Sequence, residues 1–142
     1  MKIAVINGPN LNLLGVREPE IYGHDTLAHI EVKIRKAIRE SEVELQFHQS
    51  NSEGEIIDLL HSLRYDWEAD GVVINPGSYS HYSYAIRDAI SAIEIPVVEV
   101  HISNTQAREE FRHHSVTAGA CVGKIEGLGW VGYVLAILYL SS

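Results

Sequence analysis

Lys2 to Asn7 is an almost unbroken aliphatic run closed by Gly8-Pro9, which predicts a strand covered on both faces and then a turn. From Leu27 the period changes: Ile30, Ile34, Ala37 and Ile38 recur at helical spacing, with Asp25 or Thr26 in place to cap the first turn. Glu44 to Ser50 predicts a second strand, and Ser52-Glu53-Gly54-Glu55 has the spacing of a capping box ahead of Ile56, Ile57, Leu59, Leu60 and Leu63. The third cycle is Gly71 to Asn75 followed by Ala85, Ile86, Ala89, Ile90 and Ile93. The fourth opens with Pro96 to His101, and the fifth runs from Ala120 to Ile125 into an apolar stretch, Trp130 to Leu140. That stretch contains Gly132 and two tyrosines and falls well short of the ~20 residues of a membrane span, so it predicts a buried helix.

Five strand-helix alternations, with no repeat, linker or shift of composition between them, predict one α/β domain over residues 1–142. The expected arrangement is a flavodoxin-like, doubly wound parallel sheet of five strands in the order 2-1-3-4-5, a three-layer sandwich with helices on both faces. In such sheets ligands bind beyond the carboxyl ends of the strands, near the point where the winding reverses. This points to the loops after Asn7, Asn75 and His101. The connection from Gly8 to Asp25 shows no periodic pattern and is long for a compact domain, which suggests a functional loop. A mobile lid at about residues 15–24 is expected.

The 11 basic residues against 19 acidic ones give a formal charge of −8. Attraction to nucleic acid or to an anionic membrane is therefore not expected, and any anionic partner has to be met by a few focused arginines. Hydrophobic residues at 46% exclude a mainly disordered chain. The single cysteine, Cys121, cannot form an internal disulfide, and the N-terminal run has no charged-then-apolar leader, so the cytosol is the expected compartment.

Three polar clusters fall at the predicted strand ends. Asn7-Gly8-Pro9-Asn10-Leu11-Asn12-Leu13-Leu14-Gly15, with Arg17-Glu18-Pro19 and Tyr22-Gly23 beyond it, reads equally well as a turn whose asparagines bond their own backbone. Asn75-Pro76-Gly77-Ser78-Tyr79-Ser80-His81 reads as a strand-to-helix turn, with Ser80 as cap and Asp88 on the same helix face as His81. Glu99-Val100-His101 puts two ionisable groups on one side of a strand that should be apolar, where the carboxylate can hold the imidazole and fix its tautomer. After it, residues 107–114 have helical character, and Arg108 and Arg112, one turn apart, could grip a carboxylate. Phosphate-loop, dinucleotide and nucleophile-elbow motifs are missing from the sequence. No metal site is expected, because no metal-ligand spacing occurs and the adjacent His113 and His114 would diverge on a helix.

Together these segments, with Arg108-Glu109-Glu110-Phe111-Arg112-His113, resemble type II 3-dehydroquinate dehydratase over essentially the whole chain and in the same order. The resemblance is weaker from Ser62 to Glu68 and in the C-terminal helix, which bears on packing more than on activity. It implies a lyase of the shikimate and quinate pathways, built as a dodecamer of four trimers. That enzyme reversibly dehydrates 3-dehydroquinate to 3-dehydroshikimate by anti elimination through an enolate, with no cofactor and no Schiff base. Carried over by position, Tyr22 would be the base, as a tyrosinate, with Arg17 beside it and Arg112 close by. His101, held by Glu99, would be the general acid, and Asn10 would position the water that meets the enolate oxygen. Asn75 and the amides of Ile102 and Ser103 would receive the substrate carboxylate, His81 and Arg112 would bind ring hydroxyls, and Asp88 would reach a neighbouring subunit's site. A flavodoxin-like nucleotide- or flavin-binding module is the alternative, which would not need Tyr22, Glu99, His101 and Arg112 together.

Overall fold

The computed structural model describes residues 1–16 and 18–142. Five parallel strands form its sheet: β1 (Lys2–Asn7), β2 (Glu44–Gln49), β3 (Gly71–Asn75), β4 (Val97–His101) and β5 (Gly123–Glu126), in the order β2-β1-β3-β4-β5. The helices are α1 (Pro19–Tyr22), α2 (Leu27–Ala37), α3 (Glu53–Tyr65), α4 (Tyr84–Ile93) and α5 (Val131–Ser141). The order and the doubly wound character match the sequence expectation. Among the described residues, no helix is long and apolar enough to cross a membrane.

Strand alternation divides the core in two. Ile3, Val5, Val73, Val98 and Val100 pack against α2 and α5, while Ala4, Ile6, Val72, Ile74 and Val97 pack against α3 and α4. Most residues of β1 and β3 therefore bury an aliphatic side chain on one face or the other, which is why these two strands read as continuous rather than alternating runs. The winding reverses between β1 and β3, where Asn7 and Asn75 pair in register and Gly8 N donates to Asn75 O at 2.7 Å.

Several local expectations are corrected. Thr26 caps α2, with His29 as its reciprocal partner. The capping box of α3 is only half formed, because the Glu55 carboxylate accepts from Ser50 Oγ (2.6 Å) instead of turning back on the cap. Ser83, not Ser80, caps α4, and His81 ends a short 3-10 turn (Gly77–His81) before that helix begins. Residues Thr105–Ala107 and Glu110–His113 form two 3-10 turns rather than one α-helix. The last strand starts at Gly123, because Ala118–Ala120 is itself a 3-10 turn. The long first connection is not structureless: it contains a 3-10 turn (Leu11–Leu13) and α1.

Candidate active site

The carboxyl ends of β1, β3 and β4 open into a cavity of about 250 Å³. Its described walls include Arg108, Arg112, His81 and His101 and no aspartate or glutamate. In a protein of formal charge −8, this is the focused basic lining that a small anionic ligand requires. Asn10, Tyr22, Asn75, Ile102 and Ser103 complete the part of the wall predicted from sequence.

Tyr22 comes from α1, whose start carries Glu18 in the left-handed region (φ 41°) followed by Pro19 at the first helical position. Its hydroxyl accepts from Arg108 Nη1 at 2.7 Å, and the Arg108 guanidinium lies 5.2 Å from the Tyr22 ring centroid. Arg108 Nη1 also reaches Ser103 Oγ at 3.2 Å, and Nη2 stands 3.8 Å from Glu18 Oε2. Arg112 Nε donates to Glu109 Oε2 at 3.1 Å, and among the described residues Arg108 is a guanidinium hydrogen-bonded to Tyr22 that the sequence reading did not single out for that place. Arg108 has extended backbone (φ −117°) after the first 3-10 turn and Arg112 lies within the second, so the two do not share one helical face. Among the described residues, Arg108 Nε is a buried donor without a partner, which an incoming acceptor would satisfy. Arg17 lies outside the described residues.

On β4, Glu99 is fully buried and accepts from His101 Nε2 at 2.8 Å, from Ser115 Oγ at 2.7 Å and from Thr117 Oγ1. Burial by itself would raise the Glu99 carboxyl, but the hydrogen bonds from His101, Thr117 and Ser115 outweigh it and hold the group below the usual carboxylate range. An ionised Glu99 fixes the hydrogen of His101 on Nε2 and leaves Nδ1 as the ring nitrogen available for proton exchange. The sequence spacing supplied Glu99 and His101. Ser115 and Thr117 carry no such signal, because they arrive from 16 and 18 residues downstream.

His81 Nδ1 donates to His114 O at 2.9 Å, so its Nε2 can accept from a ligand hydroxyl. Burial lowers the tendency of His81 to protonate, which keeps that acceptor available. His113 Nε2 donates to Arg108 O at 3.1 Å, so both histidines of the adjacent pair brace the site through its backbone. Asn10 sits in the left-handed region at φ 69° with its N–H on Asn51 Oδ1 at 3.0 Å, a partner that sequence reading did not anticipate. Asp88 is exposed on α4 and is absent from the described cavity wall.

The pattern of the family "Dehydroquinase class II" matches residues 1–141. The chain belongs to this family. Membership makes this class II dehydroquinase an enzyme, a hydro-lyase. It is 57% identical over 140 residues to a 3-dehydroquinate dehydratase of Carboxydothermus hydrogenoformans, covering 99% of this chain and 90% of that one. It is 56% identical over 140 residues to the 3-dehydroquinate dehydratase of Bacillus licheniformis, covering 99% and 95%. The crystal structure of the type II dehydroquinase from Butyrivibrio crossotus superposes with a TM-score of 0.96 at 50% identity, covering 100% of this chain and 98% of that one. Within the class II dehydroquinase, the strand-end clusters recognised in the sequence are therefore the ones that the fold gathers around one cavity.

Proposed function

We propose that the chain dehydrates 3-dehydroquinate to 3-dehydroshikimate, reversibly and without a cofactor, by anti elimination through an enolate. The observation that carries this reading is that Arg108-bound Tyr22 and Glu99-bound His101 line one basic cavity. A phenolate at Tyr22 takes the proton from the carbon next to the ketone, and the guanidinium of Arg108 stabilises the phenolate. Arg17, on the same segment, is a second cation in this reading, and the segment at about 15–24 is a lid. Asn10 holds a water against the enolate oxygen. Imidazolium at His101 then gives its Nδ1 proton to the departing hydroxyl, water leaves, and the carbonyl re-forms as the conjugated enone. Transfer of the proton from Tyr22 back to His101 through solvent restores both groups, so the net change is loss of one water.

Asn75 with the amides of Ile102 and Ser103 receives the substrate carboxylate, and His81 and Arg112 take ring hydroxyls. The site lies in a homo-oligomer, a dodecamer of four trimers, in which Asp88 serves a neighbour. Addition of 3-dehydroquinate to the purified protein should produce the ultraviolet absorbance of the enone. Tyr22→Phe should abolish turnover, and Arg108→Met should lower kcat/KM at least 100-fold, because the phenol loses the guanidinium that is hydrogen-bonded to it. Near-normal kcat in Tyr22→Phe would overturn the assignment.

A further inference from the structure

Behind the cavity wall lies a polar arrangement that the elimination does not use. Tyr133, in the first turn of α5, is fully buried. Its hydroxyl donates to Asn7 Oδ1 at 2.6 Å and accepts from Asn75 Nδ2 at 2.9 Å. Because Asn7 and Asn75 are register partners on adjacent parallel strands, both side chains leave the sheet on the face covered by α5. A phenol has one hydrogen. With that hydrogen committed to Asn7, the oxygen can only accept from Asn75, and an acceptor has to face the amide nitrogen. At the other end of the same amide, Asn75 Oδ1 accepts from Gly77 N at 3.2 Å. The orientation of the Asn75 amide is thus specified from both ends, and its nitrogen keeps a second hydrogen beyond the one that Tyr133 takes.

We infer that Tyr133 is a positioning residue for substrate binding, fixing the Asn75 amide so that it offers a donor, and not its oxygen, to the anionic group of the ligand. This rests on the proposed role of Asn75 as a carboxylate binder. A flipped amide would present lone pairs to a carboxylate and replace attraction by repulsion. Packing alone does not ask for this residue, since a phenylalanine fills the same space without burying a hydroxyl that must be satisfied. Burial also keeps the Tyr133 phenol neutral, well above the ordinary ionisation range, so its donor and acceptor roles do not change over the working pH.

Steady-state kinetics with 3-dehydroquinate on Tyr133→Phe, Asn75→Ala and the double variant test the inference, with thermal unfolding in parallel. Tyr133→Phe should raise KM about 10-fold, equivalent to about 1.4 kcal/mol, while kcat changes less than about 3-fold and both pH limbs stay in place. In the Asn75→Ala background, Tyr133→Phe should add less than about 2-fold to KM, because the group through which it acts is gone. A purely structural Tyr133 would lower the melting temperature and the active fraction but leave the KM of the folded enzyme unchanged. That result, or effects on KM that multiply in the double variant, would overturn the inference. Should Tyr133→Phe fail to fold, Asn7→Ala carries the same test: it frees the phenol hydrogen to turn toward Asn75 and should raise KM comparably, and an unchanged KM would sink the idea. A wild type that forms no enone would overturn the functional reading and this inference together, whereas a wild-type KM in the variants overturns the inference alone.

Discussion

Glu99 shows how a single group can tie the chemistry to the stability of the fold. An ionised carboxylate with no solvent exposure costs several kcal/mol unless its oxygens are satisfied, and here three side-chain donors do so. The same donors hold its ionisation below the usual carboxylate range in the folded state. A group depressed on folding contributes stability that is fully present above the unfolded carboxylate value and is lost as pH falls through the lower, folded value. Glu99→Gln keeps the shape but removes the charge, and should cost roughly 1–3 kcal/mol at neutral pH. Measured between pH 3 and 7, the stability gap between wild type and Glu99→Gln should narrow on acidification, because the wild type loses its advantage when Glu99 protonates. Parallel pH profiles would show that the charge is not what the site favours.

Strands and their turns explain how much could be read in advance. Aliphatic runs ending in Asn-Gly-Pro or Asn-Pro-Gly announced β1 and β3 and their strand-end turns, and the Glu-x-His spacing on β4 announced the acid-base pair, because strand periodicity alone decides which side chains share a face. Residues 107–114 carry helical character in sequence, since charged residues at short spacing fit a helix and 3-10 turns equally well, and that pattern does not reveal that Arg108 is placed on Tyr22. Tyr133 was hidden for a different reason: in the uniformly apolar α5 a tyrosine reads as core, and its polar end becomes visible only when β1 and β3 bring two asparagines beneath it. Asn7 and Asn75 meet closely enough only because Gly8 has no side chain. A Cβ there would lie 2.6 Å from Pro76 O and 2.7 Å from Pro76 C, both backbone atoms that cannot rotate away. Gly8→Ala should therefore push the two strand ends apart, costing about 1–3 kcal/mol as overpacking does and lowering the melting temperature by several degrees with a parallel rise in KM. A melting temperature and KM both at wild-type values would contradict this account of the turn.

At the scale of an assembly, the proposal gives Asp88 a role in a neighbour's site. This aspartate is exposed on α4 and takes no part in the described wall of the cavity, which accords with the proposal that it acts on another copy. The far edge of the sheet also suits association: β5 is an edge strand, and Val122, Leu128, Val131, Leu135, Leu138 and Tyr139 on and around β5 and α5 are exposed. If sites are shared as proposed, Asp88→Ala damages a neighbour's site, while Tyr22→Phe damages the protomer that carries it. Co-expression of the two variants then creates intact sites wherever an Asp88→Ala protomer supplies Tyr22 and a Tyr22→Phe protomer supplies Asp88. Hybrid assemblies should regain a substantial fraction of wild-type kcat/KM, well above the average of the two parent enzymes. Activity no higher than that average, in hybrids whose mixed composition is verified by mass spectrometry, would place Asp88 in its own protomer's chemistry or outside it altogether.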